Sequence, residues 1–435
     1  MEEYKFEKTV PVAGEYDVVV CGGGPAGFIA AIAAARQGAR TAIVERFGFL
    51  GGMATAGIVN PLSVFTYKGE KVIGGIPWEF IERLQSMGGG LIEKPLGNVA
   101  FEPEFYKLCC QRMVIEAGVE MFTNSYISGC VCNEGQIEAV IIENKNGSEA
   151  LRARCFVDCT GDADLAHLAG VPMQTMEGKP LQPMSTYFIL SGVDTDSPMI
   201  REAMHHNKQG ENCHCLPVRE KLLELKEELG IPEFGGPWFC TTLQPGVITV
   251  NMTRTSGDAC DNRSYARAEC ELREQVFRMA EVLKDNFPEF RNSFVSAVSV
   301  QAGVRETRRI KGVHTISAEE YVNAYRYEDS ISRGAHPIDI HIANGAAQNV
   351  TFLESPAYVP YRALIAEGFP NLLVAGRCLS ADKTAFASLR VQASCMGTGQ
   401  AAGMAAAICC EDSVDVHHVN IGKLVDRLRK TGAKI

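Results

Sequence analysis

The sequence predicts an α/β fold in two parts, one domain interrupted by another of different pattern. Three observations carry that expectation. A β-branched run, Val18-Val19-Val20, meets Gly22-x-Gly24-x-x-Gly27 and then an alanine-rich segment, giving the order strand, glycine turn, helix. Beyond Leu165 the pattern changes to mixed strands and charged helices with no second glycine fingerprint. Asn371 to Arg377 then reads as a short buried strand ending at Gly376, which resumes the first pattern. Together these describe a Rossmann-like domain over 14–165 and 370–411, an inserted α+β domain over 166–369, and a helical C-terminal tail over 412–435.

Each element of the first unit has a physical reason. Gly22 permits a tight turn, Gly24 lets main chain approach a pyrophosphate, and Gly27 lets the helix pack close to the strands. Pro25 suits the first helical turn, where its missing N–H costs nothing. The open amides and the helix dipole there favour a diphosphate. Glu45 ends the second strand about twenty residues on. Its carboxylate can accept hydrogen bonds from a ribose diol and would repel a 2′-phosphate.

After Glu45 the chain enters the glycine-rich loop Arg46 to Thr55, long enough to lie along an extended cofactor with main chain facing it. Pro103 to Gly118 has helical spacing and is ended by glycine. Val119–Phe122, Tyr126–Val131, Ile137–Ile142 and Ala150–Cys159 read as strands, the last three joined as a meander through Asn133-Glu134-Gly135 and Asn146-Gly147. Val157 to Asp162 is a strand running into a small-residue turn, returning the chain to the nucleotide site. In the inserted part, Met184–Leu190 and Val247–Met252 read as strands, and Arg219–Leu229 and Tyr265–Phe287 as amphipathic helices. Gly397 to Met404 opens an alanine-rich helix whose start or close-packed segment approaches a cofactor.

Composition narrows the function classes. With 435 residues, 46% of them hydrophobic, the chain can bury a large core. Its net charge of −10 gives no general attraction to nucleic acid or to an anionic membrane. The polar, acidic opening MEEYKFEKTV and the lack of a long apolar run give the expectation of a cytoplasmic protein without membrane spans. Sixteen scattered cysteines without a Cys-x-x-Cys pair read as reduced, mostly buried thiols. His205, His206, Cys213, His214 and Cys215 have metal-ligand chemistry, but their spacing does not match a zinc site, so a polar loop and no metal are expected.

At this point the residues resemble a family. Val10 to Asp17 with GGGPAG, then Glu45-Arg46 and Gly51 to Thr55, Gly303 to Ile310, Asp329-Ser330-Ile331 leading to Pro337 to His341, Tyr361 to Leu364, and Gly399 to Gly403 together resemble the FAD-oxidored family of FAD-dependent oxidoreductases. That resemblance implies FAD. Gly22, Gly24, Pro25, Ala26 and Gly27 would cradle its pyrophosphate, and Glu45 would hold the adenosine ribose. Arg46, Gly52, Met53 and Ala54 would run beside the cofactor, Ile127 would face adenine, and Thr160, Gly161 and Asp162 would border the dinucleotide. Gly376, Gly399 and Gln400 would lie near the ribityl chain and pyrimidine. Arg377 stands where related flavoproteins often carry an acid.

The chemistry implied is hydride transfer between FAD and a small, anionic or oxygen-rich organic substrate, with a further electron donor or acceptor left open. Arg305, Arg308, Arg309, Asp339, His341 and Arg390 are the candidates for substrate work. Arginine recognises carboxylates in bidentate fashion, and histidine can move a proton near neutral pH. Arg305 is expected to orient the substrate, His341 to act as acid or base, and Arg390 or the Gly397–Gly403 segment to stabilise a reduced flavin. Two alternatives differ in class: an electron-transfer or RNA-modification component of a complex, disfavoured for RNA by the acidic charge, and a NAD-dependent dehydrogenase, disfavoured by the loop after Glu45. A homo-oligomer is left open.

Overall fold

The computed structural model describes residues 4–5, 7–174, 180–205, 214–342 and 347–435. The Val-rich run forms β1 (Val12–Cys21), and Val18 to Cys21 have no solvent exposure. Burying such side chains contributes about 1.5–3 kcal/mol each for valine-sized groups. The glycine turn leads into α1 (Pro25–Arg36), then β2 (Thr41–Val44).

These elements belong to a seven-stranded sheet. From one edge its order is Glu120–Phe122, β2, β1, Gly147–Asp158, Gln136–Asn144, Tyr126–Asn133, with Leu372–Val374 also paired to Gly147–Asp158. The long Gly147–Asp158 strand does three things. It runs parallel to β1, antiparallel to Gln136–Asn144 through its first half, and parallel to Leu372–Val374 through its last three residues. Cys21 pairs with Asp158, so the chain leaves both central strands side by side and the two following turns adjoin. Crevices of this kind at the carboxyl ends of parallel strands are where α/β sheets bind ligands.

The Gln392–Asp412 helix is buried from Gln392 to Cys410 and crosses α1 at very short range. A Cβ on Gly399 would lie 2.1 Å from the Ala26 carbonyl oxygen, and one on Gly403 would lie 2.0 Å from that of Ala30. The i, i+4 glycines face an i, i+4 pair on α1, and only glycine fits.

A second sheet is wholly antiparallel, in the order Phe234–Thr241, Val247–Thr253, Phe188–Ser191, Phe294–Val298. The Asn262–Asn286 helix covers it with Leu272, Val276, Met279 and Leu283, at the spacing of one helical face. Asp261 caps that helix by accepting from the Ser264 N–H at 2.6 Å. This sheet has its own core from Phe188 to Phe290, and a small cluster of Met184, Ala268, Leu272, Ala302 and Val304 adjoins it.

Packing departs from the expected 166–369 insertion. Leu165, Ala166 and Val171, and Ile310, Ile316, Tyr321, Val359 and Leu364, lie in the first core because their segments pack against the nucleotide half. We therefore propose Met184 to Val304 as the inserted unit. Leu424 and Leu428 of the C-terminal Ile421–Lys430 helix are also buried in the first core. The expected Arg219–Leu229 helix is two pieces, Leu216–Glu224 and Lys226–Leu229. Among the described residues, no helix is long and apolar enough to cross a membrane.

Candidate functional site

The cradle is made of main chain. Gly22 has φ +95°, and a Cβ there would stand 2.6 Å from the Cys159 carbonyl oxygen. One on Gly27 would stand 1.8 Å from the Gly22 carbonyl oxygen. Gly24 caps α1 with extended backbone and no side chain, leaving the first-turn amides open. Ala26 is buried against Gly399 of the crossing helix. Gly52 closes over the turn, its missing Cβ only 2.7 Å from Gly24 Cα, and Ala54 is buried behind it.

Glu45 folds back across the turn. Its Oε2 accepts from the Gly23 N–H at 2.7 Å and its Oε1 from the Phe47 N–H at 2.9 Å. Burial raises its pKa, and those two amides and Arg46 only partly oppose the shift. Arg46 lies over the Phe47 ring and donates to Gln301 Oε1. Gln301 in turn reaches Met53 Sδ at 3.9 Å. Ile127 is half-buried on its strand, opposite Ile142.

The second turn is fixed by a buried carboxylate. Asp158 accepts from Thr160 N at 3.0 Å and Oγ1 at 2.7 Å, and from Ala166 N at 2.9 Å. Gly161 has φ +84° and Gly376 has φ +82°. Asp162 accepts from Thr307 Oγ1 at 2.6 Å and from Arg377 Nη2 at 3.0 Å. Burial acts to raise its pKa, but Arg377 and the Thr307 hydrogen bond outweigh it and the net shift is downward. Arg377 thus has a counter-ion in the turn itself. Its Nη1 is buried with no hydrogen-bond partner among the described residues, a donor left for a ligand.

Gly399 and Gln400 require correction. Their helix begins at Gln392, so its open N–H groups belong to the first turn after Val391, not to Gly397–Gly403. Gly399 serves the contact with α1, and Gln400 Oε1 accepts from the Ile76 N–H at 2.6 Å. Val391 and Gln392 are the helix residues at the cavity described next.

Beside the cradle lies a cavity of about 300 Å³. Arg305, Arg377, Arg390, Asp339 and His341 line it, with Met53 of the cofactor loop. The structure thus gathers Arg305, Arg390 and His341 from segments far apart in the chain. Arg305 donates from Nη1 to the Pro183 carbonyl at 2.6 Å and to Ser185 Oγ at 2.8 Å, and among the described residues it forms no ion pair. Burial, then the charges of Arg254 and Arg390, pull its pKa down to about 9. Arg390 donates to the Asp339 carbonyl at 3.0 Å, and its Nε is buried with no partner among the described residues. Burial lowers the Arg390 pKa against the opposing charge of Asp339.

His341 is held differently from expectation. Nε2 lies 2.9 Å from Asp339 Oδ2, and Nδ1 lies 2.8 Å from Arg254 Nη2. Arginine only donates and carboxylate only accepts, so the ring is neutral with its hydrogen on Nε2. Burial, then Arg305, push its pKa down to about 3. Both nitrogens are occupied, leaving no free lone pair for a substrate proton, an arrangement that does not fit the acid-base role expected of His341. Despite burial, the hydrogen bond from His341 and the positive charge of Arg390 hold the Asp339 pKa well below the ordinary carboxylate range.

Arg308 and Arg309 lie outside the cavity. Arg308 donates from Nε to the Asp162 carbonyl at 2.8 Å and pairs with Asp164. Arg309 is buried, paired with Glu306 at 2.9 Å and set over the Phe386 ring. Of the cysteine-histidine window, His206 and Cys213 lie outside the described residues. His205 Nδ1 contacts Glu93 Oε1 at 2.7 Å, and among the described residues no His, Cys, Asp and Glu cluster could hold a metal.

Sequence reasoning missed Tyr187, Asn251 and His336, all at the cavity wall. Tyr187 OH accepts from Asn251 Nδ2 at 2.7 Å, and burial pushes its pKa up to about 12. The available signal was alternation. Ser185 and Tyr187, and likewise Asp339 and His341, are two apart and face the same side of an extended segment.

A main-chain cradle at a glycine turn, with the Glu45 carboxylate beside it and a partly open, arginine-lined cavity next to it, is the arrangement of a dinucleotide-dependent redox protein. The family model described as FAD dependent oxidoreductase matches residues 17–428, and the chain belongs to that family. Its cofactor is FAD, in place of the NAD alternative. Cradle and family agree: Gly22, Gly24 and Gly27 leave the space, and Arg377 Nη1 the unspent donor, that such a group needs.

Among curated proteins the chain is 55% identical to dihydrolipoyl dehydrogenase of Trypanosoma brucei brucei over 47 residues, 11% of this chain and 10% of that one. It is 29% identical to digeranylgeranylglycerophospholipid reductase 1 of Methanopyrus kandleri over 170 residues, 37% of this chain and 44% of that one. The matches span less than half the length of either relative. A solved geranylgeranyl bacteriochlorophyll reductase-like structure from Thermoplasma acidophilum aligns over 97% of this chain and 84% of its own, with TM-score 0.50 and 14% identity, a likeness of fold alone.

Proposed function

We propose that this FAD-dependent oxidoreductase acts on a small, anionic, oxygen-rich organic molecule bound in the cavity beside the cradle. The observation that carries the reading is Arg305, a buried guanidinium at the cavity wall with no acidic partner among the described residues. Burying an unpaired cation is costly, and an incoming carboxylate would offset that cost with charge-assisted hydrogen bonds. Arg390 Nε adds a second unspent donor nearby. The apolar part of the wall, including Val304, Val350 and Trp238, would enclose a short carbon skeleton and exclude water.

When bound, FAD supplies two-electron chemistry by taking up or giving hydride. The chain's residues hold and polarise the substrate. Gly22, Gly24, Gly27, Glu45 and Gly52 would hold the cofactor, with Thr160, Gly161, Asp162, Gly376 and Arg377 along its other side. A concave cavity of this size supports turnover of a small molecule over an electron-transfer or RNA-modification role. We also take the chain to work in a reducing compartment such as the cytoplasm, since every described cysteine is free. The test is a screen of hydroxy acids, enoates and amino acids against the FAD-loaded protein, read as bleaching of flavin absorbance. The reading requires at least one anionic class to bleach it, and bleaching by neutral alcohols alone would overturn it.

A further inference from the structure

We infer that His336, not His341, moves the substrate proton, through its Nε2. This rests on the cavity being the substrate site. The two histidines stand five positions apart at one wall, and their ring nitrogens are used in opposite ways. His336 Nδ1 lies 2.7 Å from the carbonyl oxygen of Pro337. A carbonyl only accepts, so Nδ1 carries the hydrogen and Nε2 the lone pair. Among the described residues Nε2 has no hydrogen-bond partner, whereas both nitrogens of His341 are taken.

The backbone that carries the ring is also held. Ser388 Oγ donates to the His336 carbonyl at 2.5 Å, tying the residue to the Lys383–Leu389 helix. The following strand, Ile338–His341, fixes Asp339 and His341 from the other side. The charged groups facing the ring are Asp339 and Arg390, of opposite sign. Burial is the largest influence on His336 and favours its neutral form. A cavity-wall ring with one nitrogen pinned to backbone and the other without a hydrogen-bond partner among the described residues is a proton acceptor ready at neutral pH.

In the oxidative direction the substrate O–H or N–H bond breaks, the Nε2–H bond forms, and the ring gains one positive charge. Bound FAD would be the oxidant, taking the neighbouring C–H hydrogen with its electron pair as hydride. Reduction reverses each of these movements, with the imidazolium returning the proton. Arg305 and Arg390 hold the anionic end of the substrate throughout.

Diethyl pyrocarbonate acylates an accessible, unprotonated imidazole nitrogen, and peptide mass spectrometry reads where. On the FAD-loaded protein we expect label on His336, none on His341, and protection of His336 by sulfate, oxalate or malonate. Label on His341 with His336 spared overturns the inference. No protection by any of the three anions overturns the cavity reading and the inference with it. With a substrate from the screen, His336→Gln should lower kcat by about 10²–10⁴-fold while anion binding persists. It should also abolish the acid limb of the pH profile, which His341→Gln should keep. Unchanged kcat in His336→Gln, with protection intact in the wild type, overturns the inference and leaves the cavity reading standing. His336→Asn replaces the glutamine variant if that variant does not retain FAD.

Discussion

The glycine cradle and the arginine cavity meet at Arg377, which pairs with Asp162 on one side and lines the cavity on the other. One is made of main chain and the other of side chains, and they respond differently to change. In the cradle the shape is set by what is missing, a Cβ at Gly22, Gly27 and Gly52. In the cavity it is set by hydrogen bonds among residues drawn from several separate segments, and by donors left over after those bonds are counted. A cradle therefore tolerates almost no added atom, whereas a cavity tolerates added volume but not lost charge.

The sharpest way to break this comparison is Gly27→Ala. Its methyl would fall 1.8 Å from a backbone oxygen that cannot move without the whole turn. We expect purified Gly27→Ala to lack flavin absorbance. Gly403→Ala makes a similar clash, 2.0 Å from Ala30, away from the nucleotide turn. It should lower Tm by the equivalent of about 1–3 kcal/mol while the folded fraction keeps FAD. If both variants behave alike, the cradle is only a packing contact.

Next in size is Arg305→Met, which keeps much of the volume and removes the charge. Affinity for anionic ligands should fall by about 10–100-fold, from loss of charge-assisted hydrogen bonds of about 1.5–3 kcal/mol. FAD retention should be unchanged, and calorimetry with malonate separates the two. Glu45→Gln acts in the other half. It should weaken FAD by about tenfold, through loss of one strong acceptor, and leave malonate binding alone.

The effect that is smallest near neutral pH concerns acidification. His341 is neutral in the folded chain down to about pH 3, while the unfolded chain takes up that proton near pH 6.5. Between those values the unfolded state binds more protons, so stability rises with pH, with a slope of up to about 1.4 kcal/mol per unit from this residue. Urea titrations of His341→Gln should show a shallower loss of stability on acidification than the wild type.

The same contrast explains what could be read in advance. The glycine turn at Gly22, Gly24 and Gly27 and the strand before Glu45 were legible because a strand, turn and helix leave a local spacing in the sequence. The meander was legible through its hairpin separators, and the return at Leu372–Val374 through a short apolar run ending at a glycine. Gly399 and Gln400 misled because a glycine stripe for helix contact has the same composition as one for ligand approach. Only the crossing of α1 tells them apart. Arg305, Arg390 and His341 were singled out by residue type and line one cavity, yet the choice between His341 and His336 depends on which ring nitrogen is occupied. Nothing in a sequence marks that. The insertion was drawn too wide because its boundary is a matter of which core Ile310 to Leu364 join, a tertiary decision.

The central claim is that Arg305 anchors an anionic substrate against bound FAD. It is tested most directly by titrating the FAD-loaded protein with malonate and oxalate and following the flavin absorbance bands, in the wild type and in Arg305→Met. The account predicts a saturable band shift in the wild type that is lost in the variant. An equal shift in both proteins would contradict it.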